Sequence, residues 1–260
     1  MNKAMRFLAV PTLALGALAM ASSPAMAADE SYSSTLGQLN GTTGTGSITV
    51  DVHGDTAAVD LQVSGLGETF MDAPYPHVQH IHTGEEARGE CPTPAEDENG
   101  DGILNTTDGN PAYGPITTTL TTSGATGPEE GLNLELAGMG GSYQIQRDDV
   151  QLNAETKAGL EAGKAVVVVH GLDPATAGVS EEVFNSPSDI APELPLGATS
   201  PALCGVLVAS QMGDMPEGGA DTGVAQETGS NTAVLALGGG LVLAAAAGGT
   251  FLVRRSNTKA

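Results

Sequence analysis

The chain has 260 residues and a formal net charge of −22 at pH 7, with 31 acidic residues against nine lysines and arginines. A surface this negative argues against nucleic acid and anionic lipid as partners and favours cations, although acidic surfaces also simply keep exported proteins soluble. With no tryptophan, four tyrosines and four phenylalanines, the core must be mainly aliphatic, and the length allows one core-bearing domain.

The N-terminus has the features of a secretory signal. Lys3 and Arg6 precede an apolar run over residues 7–21, and the tripeptide Ala-Met-Ala at 25–27 fits a cleavage site flanked by small residues. We therefore expect residues 1–27 to form a signal peptide and the protein to be exported.

The central part of the chain is dominated by short strand patterns. Residues 28–46 are rich in Ser, Thr and Gly and are expected to form a flexible lead-in or an edge strand, and alternating polar and apolar residues predict a hairpin of strands 47–53 and 56–63. Further strands are predicted at 78–82, 116–122, 132–136, 142–147, 150–152, 165–170 and 202–208. One short helix is predicted at 153–163, a proline-containing loop at 174–199 and a flexible acidic stalk at 211–232. Many short strands with little helix predict an all-β fold, a sandwich or barrel, over residues 47–210.

Three histidines are candidates for a metal site. His80 and His82 are two residues apart, which places both side chains on one face of a strand. His170 ends the most apolar predicted strand. Neutral imidazole is a good ligand for copper and zinc, so these residues are candidate copper ligands, with His77 or His53 as a further ligand. Strand histidines that only form hydrogen bonds fit the same pattern, and the third histidine matters only if the fold brings it near.

Residues 97–108 have the oxygen spacing of a calcium loop of the EF-hand or dockerin type. The candidate ligands are Asp97, Asn99, Asp101, the carbonyl of Ile103, Asn105 and Asp108. Gly102 lies at the position of the sharp turn, and prolines on both sides of the loop indicate that no helices flank it. An acidic turn is the alternative, because Asp, Asn and Gly are also turn residues. Bound calcium would have a structural role.

The two cysteines, Cys91 and Cys204, are most simply one disulfide in an exported chain.

Several short segments resemble two known families. Ser64-Gly-Leu66, His80-Ile-His82-Thr-Gly84 with a cysteine soon after, Val167-Val-Val-His170 and Leu203-Cys-Gly-Val206 occur in the order seen in copper/zinc superoxide dismutases. CHRD domains also carry a His-Ile-His-x-Gly segment and a late Val-x-His strand. The resemblance implies a Greek-key β-sandwich, a Cys91–Cys204 disulfide and a copper-facing position for His80, His82 and His170.

The chain departs from the dismutases at two places. No histidine lies between His82 and His170, so the zinc subsite cannot be built in the family's way, and Thr199-Ser-Pro-Ala-Leu203 precedes Cys204 without the arginine that attracts superoxide. Enzymatic activity is therefore not favoured. The sequence predicts a non-enzymatic surface-binding module of CHRD type, stabilised by a disulfide and calcium. A copper-binding, dismutase-like protein for extracellular redox or copper handling is the alternative, and a passive wall or stalk protein is a third.

The C-terminus predicts an anchor. Residues 233–253 carry no charge and are long enough to cross a bilayer as a helix, and the basic tail 254–260 indicates a cytoplasmic end. Just upstream, Thr228 and Gly229 resemble the cleavage point of a Gram-positive sortase signal, although residues 225–226 depart from the family's pattern. We expect a cell-surface protein anchored at its C-terminus, either to the membrane or to the cell wall.

Overall fold

A computed structural model describes residues 30–210, which form a mostly β fold with few helices. The strands are Glu30–Gln38 (β1), Thr45–His53 (β2), Thr56–Ser64 (β3), Thr69–Phe70 (β4), Ala73–Pro74 (β5), Pro76–His77 (β6), Gln79–His82 (β7), Ile116–Thr119 (β8), Gly138–Met139 (β9), Tyr143–Gln151 (β10), Val166–His170 (β11), Pro201–Val206 (β12) and Val208–Ala209 (β13). The α-helices are Thr106–Tyr113 (α1), Ala154–Glu161 (α2), Glu181–Phe184 (α3) and Leu196–Thr199 (α4), and short 3-10 helices span Pro94–Glu96, Pro128–Glu130 and Leu134–Leu136.

Nine strands form one antiparallel sheet in the order β10-β3-β2-β1-β12-β11-β7-β8, with β13 paired to β1. The strand β1 joins the two halves of this sheet, because residues 30–36 pair with β2 whereas Gly37 and Gln38 pair with β12. The sheet is nearly barrel-like, and a continuous apolar cluster fills its interior. The remaining strands form the small pairs β4-β5 and β6-β9.

The hairpin predicted from alternating residues is present as β2 and β3. In β2, Ile48, Val50 and Val52 are buried in the core, whereas Ser47 and Thr49 are exposed. The alternation of apolar and polar residues thus matches the alternation of buried and exposed positions along the strand.

The neighbouring strands β7 and β11 are buried on both faces. Ile81 of β7 and Val167 of β11 pack into the main core. His80 and His82 flank Ile81 along the strand and therefore lie on the opposite face. That second face carries its own small apolar cluster, which includes the fully buried ring of Tyr113 from α1. The histidines are thus enclosed between the sheet and its cover.

The predicted disulfide is confirmed. It joins Cys91, in the segment that precedes α1, to Cys204 in β12, with a Cα–Cα distance of 5.8 Å and a sequence separation of 113. The bridge ties the long connection between β7 and α1 to the sheet.

Of the two alternatives for the segment before residue 47, the flexible lead-in is wrong and the strand is present as Glu30–Gln38, although it has neighbours on both sides and is not an edge strand. Tyr32 and Leu36 are buried in the core, 4% and 2% exposed. These are the segment's two large apolar positions, and the backbone hydrogen bonds to β2 and β12 hold the otherwise polar strand in place. The β fold therefore already includes residue 30.

The expectation of a single short helix is also wrong. The predicted helix is present as α2, but α1, α3 and α4 lie in segments expected to be loop, and residues 132–136 contain a 3-10 helix instead of a strand. Polar caps begin three of these helices: the side chain of Asn105 caps α1, that of Asn153 caps α2 and that of Ser180 caps α3. Local capping can start such short helices without an apolar periodicity.

Within residues 30–210, no helix has both the length and the apolar character needed to cross a membrane. The predicted signal peptide, stalk, membrane span, basic tail and sortase-type cleavage point, at residues 1–27 and 211–260, lie outside the described residues.

Candidate metal centre

Three buried histidines meet on the second face of the β7–β11 pair. Val168 of β11 lies opposite His80, and the His170 N–H donates to the Val78 carbonyl at 2.9 Å, so His170 comes next along the ladder. The ring centroid of His80 lies 5.1 Å from that of His170 and 5.5 Å from that of His82. One candidate ligand atom from each ring lies within 4.8 Å of the other two. A metal ion shared by the three rings would lie about 2.0–2.1 Å from each ligand nitrogen.

Each ring also places one nitrogen against a backbone carbonyl. The nitrogen–oxygen distances are 2.9 Å from His80 Nε2 to Gly131, 2.9 Å from His82 Nδ1 to Gly114, and 2.7 Å from His170 Nδ1 to Thr199. A carbonyl oxygen can only accept, so these nitrogens carry the proton and donate it. In a neutral imidazole the other nitrogen then has a free lone pair.

Those other nitrogens are buried and, within residues 30–210, have no hydrogen-bond partner: His80 Nδ1, His82 Nε2 and His170 Nε2. An unpaired buried polar atom costs about 1–3 kcal/mol of stability, so three of them in adjacent rings need an explanation. Metal-binding histidines characteristically donate their second nitrogen to a carbonyl or carboxylate, which fixes the ring and aims the lone pair. The three rings have this arrangement and can hold a metal ion.

Burial keeps all three rings neutral. Removal from water lowers the pKa of His82 to about 3 and that of His170 to about 4. The same effect, with the neighbouring imidazoles, lowers the pKa of His80 well below its ordinary value of 6.5. The lone pairs that a metal needs are therefore present at neutral and mildly acidic pH.

The structure does not bring His77 or His53 into this group. The ring of His77 is fully buried, with Nδ1 3.0 Å from the His170 carbonyl and Nε2 3.0 Å from the Gly67 carbonyl. His53 ends β2 and pairs with Thr56 across the hairpin. The expectation of a fourth histidine ligand is therefore wrong, since both nitrogens of His77 already face carbonyl oxygens.

The side chains of the calcium-type loop fold onto their own backbone. Asp97 accepts from the Gly102 N–H at 3.0 Å, Asn99 accepts from the Asp101 N–H at 2.9 Å, and Asp101 accepts from the Ile103 N–H at 2.8 Å. Considering the described residues alone, the three histidines are the one group of three or more His, Cys, Asp or Glu residues whose spacing could hold a metal ion, and the loop carboxylates do not form such a group.

The last two candidate calcium ligands also serve a helix. Asn105 accepts from the Asp108 N–H at 2.9 Å, and Asp108 accepts from the Asn105 N–H at 3.1 Å, which is a reciprocal capping box. The expectation that no helix flanks the loop is wrong. The helix α1 begins at Thr106, directly after its cap Asn105 and still within residues 97–108, and it contains Pro111 in its second half.

Sequence reasoning missed the groups that orient the histidines. Gly131, Gly114 and Thr199 act through backbone carbonyls, which carry no residue-specific signal. It also missed a cavity of about 370 Å³ that all three histidines line, because its walls come from separate loops.

No protein-family model matches this chain, and no curated protein matches it. The family resemblance therefore rests on the short segments alone.

Proposed function

We propose that this protein is an exported copper-binding β-domain in which His80, His82 and His170 hold one copper ion, for extracellular redox or copper handling. The observation that carries the proposal is the set of three buried imidazole nitrogens without partners, in rings that are each fixed by a carbonyl at the other nitrogen. A ligand set of imidazole alone suits copper or zinc, and divalent copper binds a given nitrogen site more tightly than zinc.

Three observations support a relationship to the CHRD and copper/zinc dismutase domains, and with it the Greek-key sandwich topology. The fold is an antiparallel, nearly closed sheet, Cys91 is bonded to Cys204, and the three histidines of the family-like segments converge. We do not propose rapid superoxide dismutation, because the zinc histidines are missing and Thr199–Leu203 contains no arginine.

The test is the metal content of the purified full chain after exposure to equal copper and zinc. We expect one copper per chain in wild type, none in His170→Gln, and one in the matched control His53→Asn, whose histidine lies outside the cluster. Stoichiometric zinc in place of copper would overturn the choice of metal. Absence of both metals would overturn the metal site.

A second proposal is that calcium binds residues 97–108 in a structural role, within a surface-binding module. The helix α1 supports this proposal, because a helix also follows the calcium loop of an EF-hand. The environment of Asp108 is the second support. Burial raises the pKa of that carboxyl, and the nearby carboxylates of Asp97 and Asp101 add to the effect, so a cation there would relieve repulsion.

The calcium proposal is tested by thermal unfolding with increasing calcium. The melting temperature should rise in wild type and in Glu135→Gln, an acidic control outside the loop, but not in Asp101→Asn. An equal rise in all three proteins would mean non-specific screening of the acidic surface.

Export and anchoring complete the proposal. The supporting features are the signal-like residues 1–27, the apolar residues 233–253 and the sortase-like Thr228-Gly229. A chain that ends at residue 225 should be released into the medium. With a wall anchor, wild type should be in the wall fraction and Thr228→Ala in the membrane fraction, because the uncut chain keeps the apolar residues 233–253. With a membrane anchor, both proteins should be in the membrane fraction. Retention of the shortened chain on the cell would contradict both routes.

A further inference from the structure

We propose that the cavity above the three histidines binds a neutral, largely apolar small molecule, of about the size of one or two aromatic rings, with a nitrogen or oxygen donor aimed at the metal. The metal-directed half of this inference rests on the proposed function, whereas the apolar half rests on the cavity walls alone.

The cavity lies where a bound metal would be accessible. Its lining includes His80, His82 and His170 together. Three protein ligands leave at least one coordination position for water or a substrate. Because all three histidines border the same space, that position faces the cavity and not the packed core.

The volume of the cavity suits an organic ligand. It measures about 370 Å³, more than twice the roughly 150 Å³ of an apolar cavity that binds benzene. It also lies at the small end of the range of small-molecule pockets, roughly 300–1,000 Å³. A dioxygen species would fill only a small part of this space, so the size favours a larger occupant.

The walls are predominantly apolar. Val78 and Ile116 lie beside the histidines, and Leu132 and Ile190 contribute two further aliphatic side chains. The last two are 42% and 43% exposed, among the most exposed large apolar residues of the described chain. Burying such surface against a ligand is favourable in proportion to the area removed from water.

The side chains that line the cavity offer no charge partner for an anion. Glu129 is the only charged residue among those that line it. The basic side chains of residues 30–210 are engaged elsewhere: Arg88 with Glu90 and Glu96, Arg147 with Asp149, Lys157 with Asp55, and Lys164 with the carbonyls of Glu85 and Ala87. With no Lys or Arg among the lining residues, an anion such as superoxide or a carboxylate would find positive charge at the bound copper alone, and Glu129 and the strongly acidic surface would oppose its approach. A neutral molecule meets no such opposition.

The experiment compares imidazole, 4-phenylimidazole and azide as ligands of the copper-loaded full chain, followed by visible and electron paramagnetic resonance spectra. Imidazole and 4-phenylimidazole share the donor nitrogen and differ by the phenyl ring. We expect 4-phenylimidazole to bind at least about tenfold more tightly than imidazole, because the ring is buried against the aliphatic wall. Azide, an anion, should bind more weakly than imidazole.

Two variants place the effect in the cavity. Ile190→Ser should reduce the preference for 4-phenylimidazole to less than about threefold and leave imidazole affinity unchanged. Leu134→Ser is the matched control, because Leu134 is also a large aliphatic residue with a partly exposed side chain but does not line the cavity. Equal affinities for the two azoles in wild type, or tighter binding of azide, would overturn the proposal.

The metal-free chain separates this inference from the proposed function. Saturation-transfer NMR should show contact between the protein and the phenyl ring of 4-phenylimidazole in metal-free wild type, and less contact in Ile190→Ser. If the chain holds no copper but this contact is present, the proposed function fails and the apolar site stands. If copper binds but the phenyl ring makes no contact in either form, the apolar site fails and the metal site stands.

Discussion

At the scale of single residues, two neighbouring histidines of one strand use opposite ring nitrogens. His80 donates through Nε2 to Gly131, whereas His82 donates through Nδ1 to Gly114, and their rings meet edge-on at 76°. The two carbonyls belong to different loops, so each loop orients one ring. The geometry of the candidate centre is therefore set by loop backbone as much as by the spacing of the histidines along the strand.

The buried histidines should make the metal-free protein sensitive to acid. Their folded pKa values, about 3 for His82 and about 4 for His170, lie below the ordinary value of 6.5 that the unfolded chain would have. Between these values the unfolded state binds more protons, so stability is fully present above pH 6.5 and is lost as the pH falls towards 4. The slope should be up to about 1.4 kcal/mol per pH unit for each histidine.

Urea unfolding in the presence of a chelator, between pH 7 and pH 4.5, measures this effect. His170→Gln should show a shallower loss of stability with falling pH than wild type, and His53→Asn should show the wild-type slope. Parallel curves for all three proteins would mean that the carboxylates, and not the cluster, determine the acid sensitivity.

Gly131→Ala should weaken metal binding without altering any ligand. A Cβ at this position would lie 2.9 Å from Ile116 Cδ1, which can turn away, and 3.1 Å from the Pro128 carbonyl oxygen. The second contact must open by a few tenths of an ångström, and we expect this shift to move the Gly131 carbonyl that orients His80. Loss of such an outer contact typically reduces metal affinity about 10–100-fold. Gly37→Ala is the control, because its Cβ would meet only the Cys204 carbonyl at an ordinary 3.7 Å. Competitive copper titration of both variants measures the difference, and equal affinities would contradict it.

At the scale of elements, the sequence predicted the parts that have a strong pattern. Alternation identified β2 and β3, and the apolar run identified the buried strand β11 between β12 and β7. The internal position of the polar strand β1 and the helix α1 were missed. The internal position of β1 depends on its pairing with the distant strand β12 as well as with β2. The start of α1 depends on a capping box whose Asn105 and Asp108 also match calcium-ligand positions. The convergence of His170 with the His80–His82 pair depends on the β7–β11 register, which no local pattern specifies.

The helix α1 links the acidic loop to two of the histidines. Thr106, its first residue, donates to the same Thr199 carbonyl that accepts from His170, and Gly114 at its C-terminal end accepts from His82. Anything that loosens α1 should therefore disturb both rings at once.

Asn105→Ala tests this link. Loss of the cap should lower stability by about 1 kcal/mol and should also weaken copper binding, because α1 positions both acceptors. Asn153→Ala removes the corresponding cap of α2, which forms no hydrogen bond to the cluster, and should lower stability to a similar extent with copper affinity unchanged. Urea unfolding and copper titration of both variants provide the comparison. Equal effects on copper affinity would show that α1 has no special role.

At the scale of the whole molecule, the backbone pairing between the two halves of the sheet passes through one strand. The strand β1 connects them through its pairing with β12, where Gly37 lies opposite Cys204, and the disulfide fastens the segment before α1 to the same strand. The histidine-bearing strand β11 is the next neighbour, with Val168 opposite Cys204. The disulfide thus ties the connection between β7 and β8, residues 83–115, which contains α1, to the strand next to β11.

The double variant Cys91→Ala/Cys204→Ala should therefore be strongly destabilised while its sheet register stays intact. In the chain-entropy picture, a bridge that closes a loop of about 100 residues stabilises by about 4.7 kcal/mol, and the separation here is 113. Urea unfolding should show most of this loss both in the variant and in reduced wild type, and the variant should not respond to reductant. Copper stoichiometry should remain at one per folded chain, because the β7–β11 ladder holds the histidines without the bridge. A loss of stability below about 1 kcal/mol would contradict the first expectation and show that the segment before α1 is restrained by other contacts. A loss of copper from fully folded protein would contradict the second and show that the disulfide itself positions the rings.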